Sequence, residues 1–181
     1  MGRRAVIAGL ALLAALVAVS PTLLWAYHLS RAGALLERGL VWPEPRMVDS
    51  LPIMADTGAL EEAVRELEAA RSWRPGLAYA YRLAGYVALA RGDWAGAARE
   101  LEAARTRAQR HPLIAWETGL AYEQLWQATP SDLAARERMA EAWRAGGFDA
   151  ASLRLRAEEA RIAGRAEEAQ RWERRAALME P

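Results

Sequence analysis

Apolar side chains fall along this chain in two regimes. Residues Ala5–Tyr27 carry no charged side chain and are mostly Ala, Leu and Val. From residue 58 onward, apolar and small residues instead recur three and four apart among Glu and Arg, as at Ala63, Leu67 and Ala70. That is the period of helices with one buried face. Between the two regimes, Leu29, Ala32, Leu35 and Leu36 keep helical spacing, which predicts a continued or separate short helix over residues 28–39. Residues 41–57 break the pattern, because Pro43, Pro45 and Pro52 each disfavour helix at the preceding position. This stretch reads as an irregular linker that sets the C-terminal part off from the N-terminal one. Asp56 or Thr57 then offers an N-cap for the next helix.

The first regime predicts a membrane span. Twenty-three residues at about 1.5 Å rise cover roughly 34 Å, against a hydrocarbon core of about 30 Å. Trp25 and Tyr27 stand at the far end, where amphipathic rings favour the headgroup region. Pro21 is expected to bend the last turns. A cleaved secretory signal fits less well: its apolar stretch is shorter, and the pair Ala18 and Ser20 would place cleavage directly before Pro21. Arg3 and Arg4 beside the first end put the N-terminus in the cytoplasm and the larger part outside it. The division expected is therefore an N-terminal transmembrane signal-anchor (1–27), a juxtamembrane helix with a Pro-rich linker (28–57) and a helical repeat domain (58–181).

The repeat is explicit. The heptapeptide Arg-Glu-Leu-Glu-Ala-Ala-Arg occurs at residues 65–71 and again at 99–105, a spacing of 34 residues. A unit that cannot bury its own apolar face must stack on neighbours, so the period predicts a solenoid. The clearest unit is 78–111, with Tyr81 and Gly85, the turn Gly92-Asp93-Trp94, then Ala97, Leu101 and Ala104, and Pro112 slightly late. Upstream, Ala63, Leu67, Ala70 and Pro75 repeat the second half of that pattern alone. Downstream come Gly119 and Tyr122, four extra residues around Gln127–Ser131 expected to lengthen a turn, and then Ala135, Met139 and Ala142. The last unit carries Leu153, Ala157 and Ala160, the turn Ala163-Gly164-Arg165, then Ala169, Ala176 and Pro181. Gly85 and Gly119 fall mid-helix, where Gly costs about 1 kcal/mol relative to Ala. That cost is tolerable where the missing side chain admits a neighbouring helix.

Over residues 58–181 the chain resembles the tetratricopeptide family, whose unit is a pair of antiparallel helices. Several of the family's aromatic positions hold Ala or Leu here. The resemblance implies an all-α fold: a transmembrane helix followed by an α-solenoid of antiparallel helix pairs. It also implies that the first helices line a concave groove. Carried over, the partner-binding positions are Tyr79, Arg82, Tyr86, Trp116, Glu117, Glu123, Arg154, Glu158 and Arg161. The family's Lys/Asn clamp for a C-terminal carboxylate is absent. Bacterial proteins of this layout assist cytochrome c maturation, envelope assembly or polysaccharide export. The expected role is thus a membrane-anchored scaffold for a protein partner, or alternatively a small accessory subunit of a multi-subunit membrane complex.

Composition narrows this little further. All 24 basic side chains are Arg, and Asn is absent too. Apart from Arg3 and Arg4, Arg and acidic residues nearly balance, so no electrostatic footprint for nucleic acid is expected. The chain has no Cys and two His, His28 and His111, neither placed for a helical metal pair. No catalytic residue, cofactor or metal is assigned, and the chain is not expected to be an enzyme. Asp56, Asp93, Asp132 and Asp149 all fall at expected helix starts and read as caps. On the last helix Ala169, Trp172, Ala176 and Met179 form an apolar seam, part of which is expected to remain open to a partner or a second copy.

Overall fold

The computed structural model describes residues 2–43 and 50–180, with side chains described for 19–43 and 50–180. It is an all-α chain of helical-repeat type, with eight helices among the described residues. In order these are α1 (Gly2–Gly39), α2 (Thr57–Trp73), α3 (Ala78–Ala90), α4 (Trp94–Arg107), α5 (Pro112–Ala128), α6 (Leu133–Ala145), α7 (Ala150–Ile162) and α8 (Ala166–Leu178). Successive helices pack in pairs, α1 with α2, α3 with α4, α5 with α6 and α7 with α8, and α4 joins the second pair to the third.

The helix starts follow from local chemistry. Asp56, Asp93, Asp132 and Asp149 each accept a hydrogen bond from the backbone N–H three residues on, at 2.7–3.0 Å. His111 does the same for α5, its Nδ1 accepting from Ile114 N at 3.4 Å. Between α3 and α4, Gly92 takes the left-handed φ of 72° that ends a helix without a Cβ penalty.

Both mid-helix glycines sit at close approaches. A Cβ on Gly85 would lie 2.6 Å from Leu101 Cγ, and one on Gly119 would run into the Trp143 indole. The repeated heptapeptide supplies packing: Leu67, Leu101, Ala70 and Ala104 are all buried. Its last residue fastens one unit to the next, as Arg71 pairs with Glu100 at 2.6 Å and Arg105 with Glu141 at 3.1 Å.

Three features depart from the expected layout. The second helix that seemed to lack a mate has one, because α1 runs unbroken through Pro21 to Gly39 and packs on α2. The residues expected as a juxtamembrane helix therefore form the first helix of the first pair. His28 meets Glu66 at 2.6 Å, Arg31 lies beside Glu62 and Glu66, and a Cβ on Gly39 would strike Leu60. The linker is also not wholly irregular: Leu40–Val41 (β1) pairs antiparallel with Ile53–Met54 (β2), while Pro45 lies outside the described residues.

The extra residues of the third unit, finally, go mainly into a helix: α5 takes four of them, and the turn that follows, 129–132, is only one residue longer than 91–93. α5 begins 34 residues after α3 but has 17 residues against 13. Four residues are close to one turn of 3.6, so the buried face is preserved. The extra turn raises the start of α6 by one turn as well. The residue facing Gly119 therefore comes eight positions later than the strict repeat of Leu101 would place it, at Trp143.

Candidate protein-binding groove

The first helices α1, α3 and α5 share one side of the molecule, and α3 and α5 are tied by an ionic cluster. Glu117 of α5 accepts from Arg82 Nε at 2.6 Å and Arg82 Nη2 at 2.5 Å, and from the Tyr86 hydroxyl at 2.5 Å. Burial works against the Arg82 charge, but the hydrogen bonds and charge of Glu117 outweigh it and raise its pKa. Burial, followed by the Glu117 charge and hydrogen bond, pushes the Tyr86 phenol well above its ordinary range.

Two hollows lie on this side. The larger, about 660 Å³, runs between α1 and α3 and is lined by Trp25, Leu29, Gly33, Tyr79, Leu83 and Tyr86, among others. The smaller, about 250 Å³, lies over α3 and α5 against Leu51, Pro52, Arg82, Leu113 and Glu117. Trp42 lines both, with its ring edge-on to Tyr86 at 5.3 Å between centroids. The connector between α1 and α2 therefore rests on the first-helix face. The Trp25 indole N–H in this region is buried without a hydrogen-bond partner.

The sequence-derived positions divide into three groups. Tyr79, Arg82, Tyr86 and Glu117 come together along the groove, with Tyr79 exposed at its edge. Trp116 does not: it is 1% exposed, stacked on Trp143 at 5.1 Å and packed against Phe148 and Trp172 at 4.8 and 5.2 Å. It is core. Glu123 is buried too, accepting three hydrogen bonds from Arg175 of α8 at 2.9–3.1 Å. Arg154, Glu158 and Arg161 form exposed pairs on α7, Arg154 with Glu180 and Arg161 with both Glu158 and Glu173. They line neither hollow.

Sequence reasoning missed Trp25, Gly33, Trp42 and Leu83. The signal for the first two was present, since Trp25, Leu29, Gly33 and Leu36 continue one helical stripe across the expected membrane boundary. Nothing local marked Trp42, which reaches the groove only because the connector folds back. The α8 seam was misjudged as well: Ala169, Trp172, Ala176 and Met179 are all buried, because α8 turns back to bring Trp172 and Arg175 onto α5. Within the α7–α8 pair, the exposed large apolar residues are Leu155 and Ile162, on α7.

Among the described residues no group of three or more His, Asp or Glu is placed to hold a metal ion. No family model matches the chain, and no curated protein matches it. Fold and site together define an all-α helical-repeat protein whose first helices present a partly self-covered groove.

Proposed function

We propose that the chain is a membrane-anchored scaffold of tetratricopeptide type, which binds or stabilises a partner protein at the membrane surface through the α1–α3 groove. The observation that carries this reading is the double use of α1. Its C-terminal half is a packing helix, while Val19, Leu23 and Tyr27 are exposed apolar side chains near the point where α2 ends. Among the described residues no helix is long and apolar enough to cross a membrane. The apolar run continues through residues 5–18, whose side chains lie outside the description, and the proposed span needs that run. The N-terminus is then cytoplasmic and the helical pairs extracytoplasmic.

The groove suits an extended or helical peptide that brings apolar side chains to Trp25, Leu29 and Leu83. No reaction is assigned to the protein. A photoreactive residue at Tyr79, exposed at the groove's edge, is expected in the full chain to crosslink one membrane or envelope protein, and the same residue at buried Trp116 to capture none. Equal capture from both positions, or none from Tyr79 in native membranes, sinks the groove reading. Cleavage of α2–α8 only once protease gains access to the cytoplasm would reverse the topology.

A second reading, a constitutive subunit of a larger membrane complex, is favoured by the exposure of Ile162 and Leu155, at 80% and 62%. Stable stoichiometric co-purification in mild detergent supports it over a transient scaffold.

A further inference from the structure

The register of α1 on α2 fixes which end of the molecule faces the N-terminal half of α1. At one end Gly39 abuts Leu60; at the other, the Arg74 guanidinium carbon lies 5.8 Å from the Trp25 ring. The α2–α3 turn is therefore level with Trp25. The α4–α5 turn lies beside it, since Arg107 Nε donates to Pro75 O at 2.8 Å. If residues 5–27 span the bilayer, both turns sit at headgroup level.

Their composition suits that place. No acidic residue occurs from Ala69 to Gly92 or from Ala103 to Trp116. Arg74, Arg107 and Arg110 are exposed, and so are Trp73 and Tyr27. The turns at the opposite end of the same helices begin their next helix with Asp56 and Asp93. Helix-end electrostatics explains Arg107, which lies in the last turn of α4. It accounts equally for Arg74, the C-cap of α2, but not for Arg110, which lies beyond the C-cap Ala108 of α4. Arg110 also holds a φ of 70°, a conformation that the chain gives to glycine at Gly92, Gly147 and Gly164. A guanidinium is kept where glycine would be easier.

We propose that this Arg- and Trp-bearing rim, formed by the α2–α3 and α4–α5 turns, lies on the bilayer and binds the anionic headgroups of phospholipids. The inference rests on the membrane reading above and adds a second, electrostatic contact to it. Guanidinium groups pair bidentately with phosphate, and each basic side chain near an anionic surface is worth roughly fivefold in affinity. The rim would hold the repeat domain in one orientation, with the groove running along α1 away from the membrane and opening to the side.

The chain has no cysteine, so single labels can be placed freely. The full-length protein, incorporated in vesicles of phosphatidylcholine with or without phosphatidylglycerol, carries a fluorophore at Gln109→Cys or Arg91→Cys, and the vesicles carry a headgroup quencher. With phosphatidylglycerol present, the label at 109 should be strongly quenched and the label at 91, at the other end of α3, much less. Without it, or in high salt, quenching at 109 should fall. Arg74→Gln with Arg110→Gln should lower the ratio of docked to undocked rim roughly 25-fold at limiting phosphatidylglycerol, with an unchanged helical spectrum. Equal quenching at both positions, or quenching at 109 indifferent to lipid charge, overturns the proposal while leaving the anchor intact. A chain that washes off the vesicles in alkaline carbonate overturns the anchor, and the proposal with it.

Discussion

Single glycines decide how closely these helices approach, and two of them should respond to the same substitution with opposite signs. Gly33 lies within α1 and faces open space, with no atom within 4 Å of an added Cβ. Gly33→Ala is therefore expected to stabilise the chain by about 0.5–1 kcal/mol through helix propensity alone. Gly119 faces the Trp143 indole, whose Nε1 donates to Trp116 O at 3.2 Å. Gly119→Ala must displace that ring from the stack of Trp116, Trp143 and Trp172, so a net loss of about 1–3 kcal/mol is expected. Urea unfolding of the full chain in mild detergent measures both. A Gly119→Ala change that is neutral or stabilising would mean that the close approach does not govern α5–α6 packing.

At the scale of elements, the joint between α3 and α5 depends on a proton. Tyr86 donates it to Glu117, and both burial and the carboxylate raise the phenol's pKa above its ordinary 10.0. A group whose folded-state value is raised contributes stability that is fully present below the unfolded value, here about 10. That stability is lost as pH rises toward the folded value. The chain has five tyrosines, and Tyr86 should ionise late in an ultraviolet titration. Tyr86→Phe should remove the late component and cost about 1.5–3 kcal/mol at neutral pH, since the bond lost has a charged acceptor. A late component that survives the substitution would assign it to another tyrosine. Arg82 keeps its charge throughout the accessible range, so the cluster fails through its hydroxyl before its ion pair.

Across the whole molecule, α8 is what closes the array. Helical pairs in a solenoid contact their neighbours in line, and the fourth pair meets the third through α8. Here Arg175 of α8 reaches Glu123 of α5, both side chains being 7% exposed, with the guanidinium carbon 5.3–5.4 Å from the ring centres of Trp172 and Trp116. Glu123→Ala would leave a buried cation without its counter-charge, and a loss of about 3–5 kcal/mol is expected. Replacing both partners, Glu123→Leu with Arg175→Met, should recover most of it. The two changes together form a double-mutant cycle read by denaturant unfolding. A double variant as unstable as Glu123→Ala would show that the pair contributes more than mutual neutralisation. Because the same helix also brings Trp172 onto Trp116, the third and fourth pairs should unfold as one unit.

Much of this architecture was legible in the residues, because its determinants are local or periodic. Capping needs only an Asp three positions before a free N–H, so Asp56, Asp93, Asp132 and Asp149 could be assigned from their places alone. The 34-residue register located the packed residues Leu67, Leu101, Ala70 and Ala104, and the cost of a mid-helix glycine pointed to close approaches at Gly85 and Gly119. What could not be read depended on which helix meets which. Trp116 and Tyr79 look alike as exposed-side aromatics, yet one is sealed by Trp143, Phe148 and Trp172 and the other borders the groove. Glu123 looked available until α8, 52 residues later, brought Arg175 to it. The mate of α2 was legible as a helix over residues 28–39 but read as a juxtamembrane one, because a helix may change its surroundings partway along without any break in its pattern. Periodicity reports that a face is buried; only the tertiary structure decides what buries it.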